Sequence, residues 1–193
     1  MSSARQSAYI LPEHYLEMEY HSPYKNEYYD GEVRAMGYAS DAHGLIVVNV
    51  IDVMLDCFRK KGCRVYPSER MVYIEACNAF VYPDVVVVCG EPQYRTFIGK
   101  MLATTNPTIL VEVLSESTAK DDRERKLPCY RQMPSARHIL FVESERKFVE
   151  HHQRVSPTQW LVSELSASDA LALDDCAFPI EKFYDQIEFR NSL

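Results

Sequence analysis

The sequence predicts an α/β fold in which a mixed central sheet lies between helices, with a β-hairpin ahead of the core. Three observations lead there. Two apolar runs, Tyr82-Pro83-Asp84-Val85-Val86-Val87-Val88 and Pro107-Thr108-Ile109-Leu110-Val111-Glu112-Val113-Leu114-Ser115, have the length and β-branched content of strands buried on both faces. From His43 to Lys60 the polar positions Asn49, Asp52, Asp56 and Arg59 draw a single stripe at helical spacing along an otherwise apolar segment. The core elements then follow in the order helix, strand, strand, strand, helix, strand.

The lead-in, residues 1–23, holds a helix start at Pro12-Glu13-His14-Tyr15-Leu16-Glu17, with proline in its first turn. Asp30-Gly31, set between Glu27-Tyr28-Tyr29 and Glu32-Val33-Arg34-Ala35-Met36, marks the hairpin. Gly62 stops the helix that begins near His43. Arg64 to Ile74 reads as one strand bent near Pro67, followed by strands over 81–89 and 108–114. Between those two, Glu91 to Asn106 shows no period and reads as a long connection folding over the site. Charges dominate 118–126. Leu127, Tyr130 and Met133 fall on one side of a second helix, which Pro128 should bend or end. His138 to Val142 is another buried strand, with Lys147 to Arg154 as its returning partner. Phe178-Pro179-Ile180 and Phe183-Tyr184 pack back as a short strand and helix. The whole chain, 1–193, reads as one domain with a core over about 24–154 and a C-terminal extension over 155–193.

Composition excludes several classes. With 47% hydrophobic and 25% charged residues the chain can bury an ordinary core. No apolar run approaches a membrane span, and Met1 to Ser7 lack the apolar centre of a signal peptide, so the expectation is a cytoplasmic protein without a membrane partner. The six cysteines (Cys57, Cys63, Cys77, Cys89, Cys129, Cys176) contain no C-x-x-C pair and read as reduced core residues. His151-His152 reads as a solvated strand end rather than part of a zinc site. A net charge of −7 gives little general affinity for nucleic acid, because that affinity comes from Lys and Arg neutralising phosphates. Positive charge is instead local, at Lys120, Arg123, Arg125, Lys126, Arg131 and Arg137. That stretch is either a basic face beside an acidic site or a charged helix facing water.

Asp84 and Glu112 carry the chemistry. A carboxylate in a buried strand is costly unless a charge partner is present, and two such neighbours repel unless a cation or a proton intervenes. A Mg²⁺ ion satisfies both conditions with oxygen ligands, and a buried ion pair with Lys126 is the structural alternative.

Taken in order, Pro83-Asp84, Glu112-x-x-Ser115 and Asp122-x-x-x-Lys126-x-x-x-Tyr130 on an αβββαβ core resemble the Uma2 (DUF820) family, assigned to the endonucleases of the PD-(D/E)XK superfamily. The resemblance runs from Tyr15 to Tyr184 and includes Glu27-x-x-Asp30-Gly31-Glu32 and His43-Gly44. It implies a restriction-endonuclease-like fold, Mg²⁺-dependent cleavage of DNA with Mn²⁺ as a substitute and RNA as another substrate, and a homodimer. It implies Asp84 and Glu112 as metal ligands, joined by the Val113 backbone carbonyl. The superfamily lysine two residues after the acid is Leu114 here, so the resemblance moves that role to Lys126 on the next helix, with Lys120 in reserve. Asp122, Lys126 and Tyr130 share a helix face at a spacing that equally suits a surface ion pair; as a partly exposed residue Lys126 would matter little for stability. Glu27 or Glu32 would add a third acid, His43 would orient water or phosphate, and Ser115 would cap or bond the nearby backbone. The alternative function is an inactive descendant that binds nucleic acid or a protein.

Overall fold

The computed structural model describes residues 9–99, 101–115 and 119–189. Along the chain run α1 (Pro12–His21), β1 (Asn26–Tyr29), β2 (Glu32–Ala35), α2 (Asp41–Lys60), β3 (Arg64–Pro67), β4 (Val72–Ile74), a 3₁₀ turn (Glu75–Cys77), β5 (Ala79–Val81), β6 (Val85–Val88), β7 (Tyr94–Thr96), β8 (Leu102–Thr104) and β9 (Ile109–Leu114). There follow α3 (Ala119–Asp121), a π-turn (Asp122–Lys126), α4 (Leu127–Gln132), β10 (His138–Glu143), β11 (Phe148–Ser156), β12 (Gln159–Ser166), β13 (Ala170–Leu173), β14 (Cys176–Pro179) and a 3₁₀ turn (Ile180–Tyr184).

The central sheet has the strand order β12-β11-β10-β9-β6-β3 and is parallel only between β9 and β10. A parallel pair needs a crossover, which the helical stretch 119–132 supplies. Reading α2, β3, β6, β9, that helical stretch and β10 gives the expected αβββαβ order. β4, β5, β7 and β8 join the N-terminal hairpin in a second sheet, β2-β1-β5-β4-β8-β7, and β13 and β14 pair antiparallel by themselves.

Strand alternation divides the core. Val85, Val87, Ile109, Val111 and Val113 pack with Ile46, Val50, Met54 and Phe58 of α2 and with the C-terminal Phe178, Ile180 and Phe183. Val86, Val88, Leu110 and Leu114 face the other way, against Val72, Ile74 and Val81 of the second sheet and Tyr130 of α4. With both faces covered, β6 and β9 must be apolar throughout, which is why their sequences read as continuous runs.

Local signals set the helix and hairpin ends. Ser40 caps α2 by accepting the His43 N–H at 3.2 Å. At its other end the Gly62 N–H bonds Arg59 O and the Cys63 N–H bonds Phe58 O, a closing pair that needs the left-handed φ of 71° at Gly62. Asp30 and Gly31 take φ of 40° and 98° in the hairpin turn.

Four expectations change. Arg64 to Ile74 is two strands in different sheets, because Pro67 cannot donate to a ladder and the Arg70 N–H closes a turn onto Pro67 O. Glu91 to Asn106 contains the hairpin β7–β8 at the edge of the second sheet; its strands are too short, and β7 too exposed, to show a period. Pro128 does not sit inside a regular helix: a π-turn precedes it, with the Leu127 N–H reaching Asp122 O, and α4 restarts with proline in its first turn. Residues 159–166, expected as part of the extension, form β12 on the rim of the central sheet.

The cysteines are also corrected. All six are paired, as Cys57–Cys176, Cys63–Cys89 and Cys77–Cys129, across separations of 119, 26 and 52 residues. The search for C-x-x-C looked for neighbours in sequence, whereas these are neighbours only in the folded chain. They tie α2 to β14, the residue before β3 to the residue after β6, and the 3₁₀ turn after β4 to α4. Cross-links of this kind persist in oxidising surroundings, so the cysteines no longer argue for the cytoplasm. Among the described residues no helix is long and apolar enough to cross a membrane.

His151 and His152 are not a solvated strand end. They are 5% and 2% exposed within β11. His151 Nε2 lies 3.0 Å from His138 Nδ1, and His152 lies 2.6 Å from Glu150 and 2.8 Å from Arg131. Burial pushes His151 down to about 4 and lowers His138 and His152 as well. A base whose folded pKa lies below its unfolded value of about 6.5 contributes its full stability above that pH and loses it as the pH falls. Thermal stability should therefore fall as the pH drops from about 6.5 to 4, with His151 responsible for up to about 3 kcal/mol. His151→Gln should flatten this acid limb, and an unchanged pH profile in that variant would clear His151 as its cause.

Candidate active site

β6 and β9 are antiparallel with Val85 opposite Val111. Continuing that register by one residue places Asp84 opposite Glu112, so both carboxylates leave the same face of the sheet, toward α4 and the second sheet. Asp84 Oδ2 accepts the Val113 N–H at 2.7 Å and lies 3.2 Å from His43 Nε2. Glu112 Oε2 lies 3.1 Å from Lys126 Nζ, and its Oε1 accepts the Tyr130 hydroxyl. The same Nζ is 3.1 Å from Glu27 Oε1 and 3.1 Å from Asp122 Oδ1. Glu27 is itself held by the Tyr82 N–H at 3.1 Å and the Tyr29 hydroxyl at 2.9 Å.

Each side chain has a local reason to be there. The π-turn directs Asp122 and Lys126 inward while Arg123 and Arg125 stay outside. A single extra residue in a helical turn re-aims side chains in this way, often at functional sites. The Ser40 cap fixes the first turn of α2 and so places His43 over Asp84. Glu27 and Tyr29 alternate onto one face of β1, which the second sheet lays against the central one.

Electrostatics follow from burial. Removal from water pushes the Glu112 carboxyl well above the usual carboxylate range, although Lys126 pulls it down. Burial would discharge Lys126, yet Glu112 and Glu27 outweigh it and hold the ammonium well above its ordinary pKa. These two directions compete, since a protonated Glu112 would support Lys126 less. A charged Lys126 is the firmer conclusion, because two further carboxylates surround it. Burial and Glu112 keep Tyr130 protonated, as a donor. Burial lowers His43, but its bond to Asp84 and the charge of Asp84 prevail and leave it raised.

Among the described residues no three His, Cys, Asp or Glu side chains are arranged to hold a metal ion. A Mg²⁺ that keeps most of its waters asks for only one or two carboxylates, and the donors here are the hard oxygens it prefers. Charge argues the same way. Glu27, Asp84, Glu112 and Asp122 are all buried, against one ammonium and one imidazole. Four carboxyl groups thus converge on one ammonium and one imidazole, an excess of acidic groups that a divalent cation would help to balance. The residues therefore fit a divalent ion, with Asp84 and Glu112 as the pair able to share it. His43 Nδ1, buried and without a hydrogen bond among the described residues, is a further donor or acceptor beside Asp84.

The structure thus brings together Asp84, Glu112, Lys126, Glu27, His43, Asp122 and Tyr130. It leaves Glu32 outside, paired with Arg34 and Arg125 and with 44% of its side chain exposed. Lys120 is exposed, and Ser115 sits at the end of β9 with its carbonyl accepting the Ala119 N–H. Lys126 is only 6% exposed, not a partly exposed surface lysine as its spacing allowed, because the π-turn points it at Glu112. Leu114, on the same strand face as Glu112, is fully buried in the apolar cluster. Much of the basic stretch is engaged in ion pairs: Arg123 pairs with Glu143 and Glu150, Arg125 with Glu32 and Asp121, and Arg137 with Asp174. Tyr29 was missed; its period-two relation to Glu27 on a strand was the available signal.

Comparison with known proteins gives concordant matches. The family model described as "Uma2: Putative restriction endonuclease" matches residues 12–179. Two uncharacterized proteins of Synechocystis sp. (strain ATCC 27184 / PCC 6803 / Kazusa) are each 30% identical, over 156 and 182 residues. The matches cover 81% and 93% of this chain and 87% and 94% of theirs. A crystal structure from Anabaena variabilis, described as a putative nuclease belonging to DUF820, superposes with a TM-score of 0.72 over 91% of this chain and 98% of that one. At 13% identity that likeness shows the fold.

Proposed function

The chain belongs to the Uma2 family, and from that membership and the paired carboxylates we propose that it is a divalent-metal-dependent endonuclease hydrolysing DNA phosphodiester bonds. The observation that supports it most is the register that sets Asp84 opposite Glu112 on one sheet face, beside a charged buried lysine. Bound there, Mg²⁺ or Mn²⁺ would polarise the phosphate and lower the pKa of a coordinated water. Asp84 and Glu112 would hold it, with the Val113 carbonyl as a third oxygen. The Val113 N–H and His43 fix the orientation of Asp84, and the Tyr130 hydroxyl does the same for Glu112. Lys126 stays charged and donates to developing negative charge on the phosphate. Two copies related by a two-fold axis would present two such sites, one per DNA strand.

A second reading has its own observation. Lys126 already stands among three carboxylates, and Leu114 occupies the usual lysine position, so the ammonium could replace the metal in an inactive protein that binds nucleic acid or a partner.

Cleavage of plasmid DNA and of RNA with Mg²⁺ or Mn²⁺ separates the two. The parent should cut DNA only with metal. Asp84→Asn, which keeps an acceptor for the Val113 N–H, should lose at least 10²–10³ in rate at unchanged thermal stability, to order of magnitude. A parent protein that cuts neither polymer with either metal favours the second reading.

A further inference from the structure

With Arg123, Arg125, Lys126 and Arg137 held in ion pairs, the phosphates flanking a scissile bond would draw on other cations as well. Arg64 and Arg70 make no ion pair among the described residues, in a chain whose net charge is −7. Arg70 belongs to an aromatic stack, and Arg64 lies two residues before its Tyr66 on β3, on the same strand face. The Arg70 guanidinium carbon lies 4.4 Å from the Tyr66 ring centre and 5.5 Å from that of Tyr94. The two tyrosine hydroxyls are 3.4 Å apart, joining the edge strand β3 of the central sheet to the edge strand β7 of the second. Arg70 Nε is buried and makes no hydrogen bond among the described residues, whereas Tyr94 is 39% exposed and Arg64 is open to solvent.

The position of the stack matters as much as its chemistry. Tyr66 is opposite Val86, two residues from Asp84 along β6, and alternation puts it on the face that carries Asp84 and Glu112. Two residues of strand span about 7 Å, so a chain whose phosphate reaches Asp84 continues over this edge.

We propose that Arg64, Tyr66, Arg70 and Tyr94 form a track for unpaired DNA leading into the site. It rests on the hydrolase reading and narrows the substrate of that same site. Arginines without carboxylate partners complement phosphates, and exposed tyrosine offers a face on which bases stack whatever their sequence. A duplex keeps its base faces stacked inside and cannot use such a ring. The partner is therefore single-stranded DNA or an unpaired flank of it.

The test measures binding and hydrolysis separately. Fluorescence anisotropy with labelled oligo(dT), in the absence of divalent metal, should show tighter binding than to a duplex of equal length. Tyr94→Ala should weaken oligo(dT) binding roughly 5- to 150-fold. Arg70→Gln should flatten the plot of log K against log salt by about 0.7. Arg59→Gln, the loss of an exposed charge at the end of α2, should change neither. Hydrolysis of bis(p-nitrophenyl) phosphate, which has no bases, should be equal in the parent and all three variants. Parent-like oligo(dT) binding by Tyr94→Ala and Arg70→Gln overturns the track, as does an equal loss in Arg59→Gln or equal affinity for the duplex. A parent that fails to hydrolyse the reporter with Mg²⁺ or Mn²⁺, while the oligo(dT) results hold, sinks the hydrolase reading and leaves the track standing.

Discussion

Lys126→Ala should abolish most metal-dependent cleavage and also destabilise the fold by about 3–5 kcal/mol. The loss of stability separates a buried lysine from a surface one. Its ammonium is 3.1 Å from each of Glu27, Glu112 and Asp122, and removing it leaves three buried carboxylates with their mutual repulsion. Cleavage should fall by a further 10²–10³, to order of magnitude, if the ammonium also faces the reacting phosphate. Divalent metal should stabilise the variant more than the parent, because a positive charge that opposed cation binding has gone. Urea titrations with and without Mg²⁺ read both effects. Equal midpoints for parent and variant would show that Lys126 is not the counter-ion of the cluster. Parent-like cleavage would take it out of the chemistry and make Lys120 the residue to test. Leu114→Lys in the alanine background returns an ammonium to the same strand face as Glu112, and partial recovery there would tie the activity to the charge.

How much of this was legible in the sequence depended on the range of the interaction. β6, β9 and α2 were readable because burial on two faces, or on all but one stripe, leaves its mark within ten or twenty residues. Asp84 and Glu112 stood out for the same reason, as charges in runs that exclude charge. Lys126 was found by resemblance, but its burial was not, since four-residue spacing describes an exposed ion pair and an inward-facing π-turn equally well. Glu27 and Glu32 looked alike on either side of the Asp30-Gly31 turn. Only the second sheet, assembled from segments far apart in the chain, carries Glu27 to Lys126 and leaves Glu32 with Arg34 and Arg125. The cysteine pairs were hidden by the same limit, because no local pattern reports a partner 26 to 119 residues away.

Those pairs set the other large expected effect. In the chain-entropy account each closed loop of this length stabilises by about 3–5 kcal/mol, through restriction of the unfolded state. Cys63–Cys89 lies within the loop closed by Cys57–Cys176, and the third loop overlaps it, so the three contributions do not simply add. Even so, full reduction should lower Tm by about 10–20 °C, at about 2–4 °C per kcal/mol for a chain of this size. A thermal scan before and after treatment with a phosphine reductant, with thiols counted in both samples, reads this directly. The pairs should also differ in function. Cys129 adjoins Tyr130, the donor to Glu112, and lies one turn from Lys126, so its bond to Cys77 clamps α4 onto the second sheet. Cys77→Ser with Cys129→Ser should therefore reduce cleavage at temperatures where the fold persists. Cys57→Ser with Cys176→Ser, between α2 and β14, should cost stability and spare the rate below its own Tm. Equal effects of the two double variants on cleavage would refute the clamp. Six free thiols in protein purified without reductant would refute the disulfides themselves, and the cysteines would again argue for a reducing compartment.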